Sequence, residues 1–286
     1  MKKMIVFLAT LTFCGSIFAG PADAERLAQV LQAQPEDVQA RYVYRHPQET
    51  LEFFGIAPGM NVMEVLPGGG WYTKILLPYL GQDGALIGAD YAADIYARVG
   101  YGQDFLDEKK TWTLSWVNEA MDWGGDDGAV VSAFVLGSMP EAFKGTADAV
   151  LFIRALHNLA RFNADGGYLD TALKEAYDIL MPGGIVGVVQ HQAPEDSSAE
   201  FADGSHGYLK KSDVIAFMEA AGFEFVAESD INENPKDQPG PDDIVWRLPP
   251  NLGTSKDNPE LAAQMKAIGE SNRMTLKFRK PAELGY

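Results

Sequence analysis

His157 and His191 are the residues of this chain whose neighbours best suit them to move a proton. Each follows an apolar run, 149–153 and 185–189, that reads as a buried strand, with Asn158 and Gln192 beside them. An imidazole titrates near neutrality and can take a proton from an attacking nucleophile. Neighbouring parallel strands would bring both to the crevice where open α/β sheets hold ligands. The plainer alternative for each is a buried, hydrogen-bonded structural histidine. A second constellation suits ligand binding. Gly68, Gly69 and Gly70 stand directly behind the apolar run Val62-Met63-Glu64-Val65-Leu66, the pattern of a strand, a tight turn and a helix start. About twenty residues later a second apolar run, 85–89, ends in Asp90, where a ribose-binding carboxylate belongs in a nucleotide-binding βαβ unit. Together they point to a nucleoside-containing cofactor. The alternative is a structural corner.

Other chemistry-bearing residues carry two readings each. Arg154, at the end of the same run as His157, suits either a ligand carboxylate or an ion pair with a nearby acid. His46 and His206 read as surface or packing residues. A facial metal site from His157, His191 and His206 lacks any short-spaced histidine pair, so no metal is expected. Asp242, Asp243 and Arg247 suit either a rim closing over a substrate or a solvated cluster.

These residues need a scaffold. Apolar positions at helical spacing make residues 25–56 an N-terminal helical cap, and residues 72–80 the helix behind the glycines. Residues 91–128 read as a helix and an aromatic-rich insertion. Further strands are expected at 129–135, 149–153, 185–189, 223–227 and 274–278, and helices at 169–180 and 212–221. Met181-Pro182-Gly183-Gly184 reads as the stop after the first of these helices. Strands alternating with helices, apolar on both faces, mean a mainly parallel sheet covered on both sides. The domain spans 57–286, with an insertion at about 230–272 in which Pro235, Pro239, Pro241, Pro249, Pro250 and Trp246 favour an ordered wall.

Composition limits the partners. A chain of 286 residues with 47% hydrophobic content buries a full core, and a formal charge of −17 repels nucleic acid and anionic membranes. Lys2 and Lys3, the apolar run 4–19 and Ala22-Asp23-Ala24 read as a signal peptide over 1–24, with cleavage after Ala19 as an alternative. The mature chain would be periplasmic or secreted, without an integral membrane segment. Cys14 falls inside the leader and follows Phe13, so neither disulfides nor lipidation are expected. A buried N-terminal helix or a membrane anchor is the competing reading. The oligomeric state is not legible.

The chain resembles the class I S-adenosylmethionine-dependent methyltransferases, in an exported bacterial branch. The resemblance spans residues 40–281. It rests on Leu51-Glu52-Phe53-Phe54-Gly55-Ile56, Pro67-Gly68-Gly69-Gly70-Trp71-Tyr72-Thr73, Arg154-Ala155-Leu156-His157-Asn158, Met181-Pro182-Gly183-Gly184 and the closing Phe278-Arg279-Lys280. It implies an α/β, Rossmann-like seven-stranded sheet, mainly parallel with an antiparallel last strand and helices on both faces. It also implies S-adenosylmethionine over the ends of strands one to four. Glu64 would lie below the cofactor, Gly68 to Gly70 would admit its amino-acid end, and Asp90 would accept from its ribose hydroxyls. One departure is Leu66, where the family's motif begins with glycine, followed by Pro67; both narrow the turn. The implied activity is methyl transfer to a small molecule, with His157, His191 and Asn158 at the reacting end. The alternative is an exported, non-catalytic nucleoside- or small-molecule-binding protein.

Overall fold

The computed structural model describes residues 23–282, so all of the expected leader except Asp23 and Ala24 lies outside the described residues. Eight strands form the sheet: β1 (Asn61–Val65), β2 (Ala85–Asp90), β3 (Val130–Val135), β4 (Ala147–Ile153), β5 (Leu180–Ala193), β6 (Leu209–Lys210), β7 (Glu224–Ser229) and β8 (Arg273–Arg279). Their order is β3-β2-β1-β4-β5-β8-β7, with β6 paired to the far end of β5. The β1–β2, β1–β4, β2–β3 and β4–β5 ladders are parallel, and β8 runs antiparallel to both β5 and β7. This is the expected Rossmann-like sheet.

Alternation along the strands sets the layers. Met63 and Val65 of β1, with Ile87, Ala89, Val150 and Phe152, face one core, shared with helices Tyr168–Ile179 and Lys211–Ala220. Val62, Leu86, Ala149 and Leu151 face the other, shared with helices Ala24–Gln32, Pro47–Phe54, Thr73–Leu80 and Trp112–Gly124. Each fully buried aliphatic side chain contributes roughly 1.5–3 kcal/mol. The period therefore also fixes on which face Glu64 emerges.

The structure corrects both ends of β5 and gives two segments more helix than the sequence suggests. β5 takes in Met181 to Gly184, read as a helix stop, and continues through His191, read as lying beyond the strand. The polar residues Gln190, His191 and Gln192 look like loop, yet β8 pairs alongside as far as His191↔Arg273, and β6 pairs Gln192↔Leu209. Partners distant in sequence lengthened the strand. Residues 91–128 fold into three helices, Ala93–Val99, Gln103–Lys109 and Trp112–Gly124, and the late insertion contains helix Pro259–Ile268.

Candidate active site

The chain turns sharply where β1 ends. Leu66 adopts φ +56°, a left-handed conformation that costs a branched side chain roughly 1–2 kcal/mol, and Gly68 and Gly70 follow at +56° and +75°. The departure seen in sequence is thus a leucine doing what glycine does more easily. Gly69 has open space where a Cβ would stand. At Gly70 a Cβ would lie 2.3 Å from Cζ3 of Trp123, so packing as well as backbone requires glycine there. Glu64 is buried beneath the turn and accepts a 2.7 Å hydrogen bond from the Thr73 hydroxyl. Burial pushes its carboxyl up to about 7, with the Thr73 bond opposing the rise.

Gly68 and Gly69 form part of the wall of a cavity of about 550 Å³. Its other sides come from Tyr91 and the three helices after β2, including Lys109 and Trp112, from Asn158 behind β4, and from Trp246 of the late insertion. Such a volume suits a nucleoside-sized ligand. Asp90 lies at the end of β2, as expected, but beneath the cavity wall. Its Oδ1 accepts from the Tyr91 amide at 2.8 Å and from the Tyr96 hydroxyl, and its Oδ2 pairs with Lys109 at 2.7 Å. Lys109 also lies 4.5 Å from the Tyr96 ring centre, so it sits in an aromatic cage above the carboxylate. A ribose reaching Asp90 must displace this ammonium. Sequence reading missed Lys109 because it falls in the charged stretch Asp107-Glu108-Lys109-Lys110, which looks like solvated helix surface.

His157 and His191 do come together, with ring centres 5.6 Å apart. Both are buried. His157 belongs to the short helix Leu156–Arg161, its Nδ1 lies 3.4 Å from Gln190 Nε2, and Trp246 meets its ring edge-on at 5.8 Å. His191 Nδ1 lies 2.5 Å from the Ser271 hydroxyl. Burial lowers His157 to about 4, and burial and then the neighbouring His157 and arginines hold His191 well below 6.5. Both are therefore neutral at physiological pH. Asn158, on the same helix, faces the cavity instead, and its Oδ1 has no hydrogen-bond partner. The imidazole pair and the cavity thus flank Trp246.

The remaining candidates resolve as follows. Arg247 is neither a solvated residue nor a free rim residue: it is buried, pairs with Asp237 at 2.7 Å and donates to the Tyr208 hydroxyl at 2.8 Å. Asp243 joins it at 3.3 Å and holds His206 through its carbonyl at 2.9 Å, which makes His206 a packing residue. Among the described residues no three His, Cys, Asp or Glu side chains converge as for a metal, and no helix is long and apolar enough to cross a membrane.

Sequence reading also missed a buried charge cluster. Glu270 pairs with Arg41 at 2.5 Å, Arg45 at 3.2 Å and Arg273 at 3.3 Å. Arg154 stands in the same field without joining it, at φ +59° directly after β4. No sequence signal announces the cluster, because its members come from residues 41–45, 154 and 270–273.

No protein-family model matches the chain, and no curated protein does. Among solved structures, the [4+2]-cyclase SpnF superposes with a TM-score of 0.53 at 17% identity, covering 83% of this chain and 81% of that one. Weaker likenesses are to a SAM-dependent methyltransferase from Aquifex aeolicus (TM-score 0.48, 14% identity, 89% of this chain and 98% of that one) and to a geranyl diphosphate methyltransferase in complex with SAM (0.47, 14%, 92% and 96%). The likeness to SpnF is one of fold.

Proposed function

We propose that the protein is an S-adenosylmethionine-dependent methyltransferase acting on a small molecule. The observation that carries this reading is the 550 Å³ cavity between the glycine turn of β1 and the aromatic helices after β2, with Asp90 beneath its wall under Lys109. The residues fit the donor: Gly69 leaves open space at the wall, and the Asp90 carboxylate suits ribose hydroxyls once Lys109 withdraws. When bound, the donor supplies an electrophilic methyl group on a sulfonium. The acceptor's lone pair forms the new bond to that carbon as the carbon–sulfur bond breaks, and the acceptor's proton leaves to a base. A histidine as poor in proton affinity as His157 suits an acceptor that ionises readily, and otherwise orients the nucleophile as a hydrogen-bond acceptor.

A second reading is a protein that binds a nucleoside or small molecule without transferring methyl groups. It is favoured by the Lys109–Asp90 pair and by the strained Leu66. The [4+2]-cyclase SpnF also shows that this fold is not tied to methyl transfer. The leader motivates a further part of the proposal, export of the mature chain. Calorimetric titration with S-adenosylmethionine decides first. Wild type binds, and Asp90→Asn, which keeps the shape but removes the charge, weakens binding about ten- to a hundredfold. Absence of binding to wild type removes the methyltransferase reading, and equal affinities remove Asp90 as the ribose ligand.

A further inference from the structure

The cluster around Glu270 is out of balance. Among the described residues Arg41, Arg45 and Arg273 pair with the one Glu270 carboxylate and Arg154 adds a fourth positive charge beside them, in a protein whose overall charge is strongly negative. Arg45, Arg273 and Glu270 are each almost wholly buried. A buried charge without a counter-charge is expensive, and an anionic ligand would supply the missing partner. Two guanidinium groups retain unused donors. Arg45 reaches Glu270 only through Nε, while its Nη1 is buried and unpartnered and its plane lies 4.4 Å from the Trp71 ring centre. Arg154 donates no side-chain hydrogen bond among the described residues; its Nε is buried and unpartnered although the residue keeps some access to solvent. Burial, and then like charge, lower both arginines, Arg45 to about 9 and Arg154 to about 10, a strain that an anion would relieve.

The position matters as much as the imbalance. Arg154 stands three residues before His157, at the carboxyl end of β4, and Arg273 pairs in register with His191 across β5 and β8. Both arginines act electrostatically on His191. The cluster and the imidazole pair are thus neighbours along the ends of β4, β5 and β8. We propose that Arg45 and Arg154 form an anchor for an anionic group, a carboxylate or phosphate, carried by the acceptor substrate. The proposal rests on the transferase reading for the word acceptor, but the anchor itself stands on the cluster alone. Planar, multiply donating guanidinium groups suit such an oxyanion, and Arg154's left-handed backbone sets the direction in which its side chain leaves the strand.

Inorganic phosphate is the probe, titrated at constant ionic strength against chloride while urea unfolding is followed. Phosphate at about ten times its half-saturating level raises the folded-to-unfolded ratio of wild type about tenfold. Arg154→Met abolishes that response and, without phosphate, is at least as stable as wild type, because it loses an uncompensated charge. Arg279→Met, at an exposed arginine paired with Glu224, responds as wild type does and controls for general salt effects. No response in wild type, an undiminished response in Arg154→Met, or a less stable Arg154→Met each overturns the anchor. With S-adenosylmethionine added, donor affinity stays within about threefold in Arg154→Met and in saturating phosphate. Competition between phosphate and the donor assigns the arginines to the donor's own carboxylate and overturns the acceptor anchor. Failure of the donor to bind wild type removes the transferase reading and leaves the phosphate arms to judge the anchor.

Discussion

Replacing Glu64 by glutamine should leave stability nearly unchanged in mild acid and raise it in mild base. Burial at the end of β1 holds the carboxyl at about 7, against an ordinary 4.5, so the folded chain keeps a proton that the unfolded chain releases. A raised carboxyl contributes most below its unfolded value, and that contribution is lost as pH rises through the folded value. The gap corresponds to about 3 kcal/mol, most of which is lost between about pH 5 and pH 8. Glutamine has the same shape, still accepts from the Thr73 hydroxyl and carries no charge at either pH. Urea unfolding of both proteins across this range, with equal m-values, isolates the Glu64 contribution because every other titration cancels in the difference. Glu64→Gln should match wild type within about 1 kcal/mol at the acid end and exceed it by about 2–3 kcal/mol at the alkaline end. A difference that does not change with pH refutes the raised carboxyl. A variant less stable than wild type at the alkaline end means that an ionised Glu64 is stabilised by more than Thr73.

The histidines set a pH limit on turnover. If His157 accepts the proton, activity stays flat on the acid side down to about pH 5 and falls only towards about 4, and His157→Gln lowers turnover about a hundredfold with donor affinity unchanged; a fall centred near the ordinary 6.5 would contradict the burial argument. The glycine turn separates packing from binding. Gly70→Ala drives a Cβ against Trp123 at φ +75° and should lose about 1–3 kcal/mol in denaturant unfolding, whereas Gly69→Ala keeps its stability and weakens the ligand, as thermal and calorimetric measurements on the pair will tell.

Much of the scaffold was legible in the chain. The strands at 61–65, 85–90, 130–135 and 147–153, the glycine turn and the acid-ended β2 could be read because local periodicity and turn chemistry decide them. The meeting of His157 with His191 was likewise legible, since adjacent parallel strands present their carboxyl ends together. The tertiary structure decided what those residues face. β5 passes through His191 because β8 lies alongside, and no local pattern reports a partner some eighty residues away. Asp90 is engaged by Lys109 because a helix folds back over its own strand, and Arg247 is locked inside because Asp237 meets it. The arginine cluster shows the limit most plainly: Arg154 alone was singled out in the sequence, and Arg41, Arg45, Glu270 and Arg273 carry no local signal of burial. Only the approach of the N-terminal helices to the start of β8 buries them around a single carboxylate. Periodicity encodes which face of an element turns inward, while burial and pairing of charge depend on which distant segments arrive there.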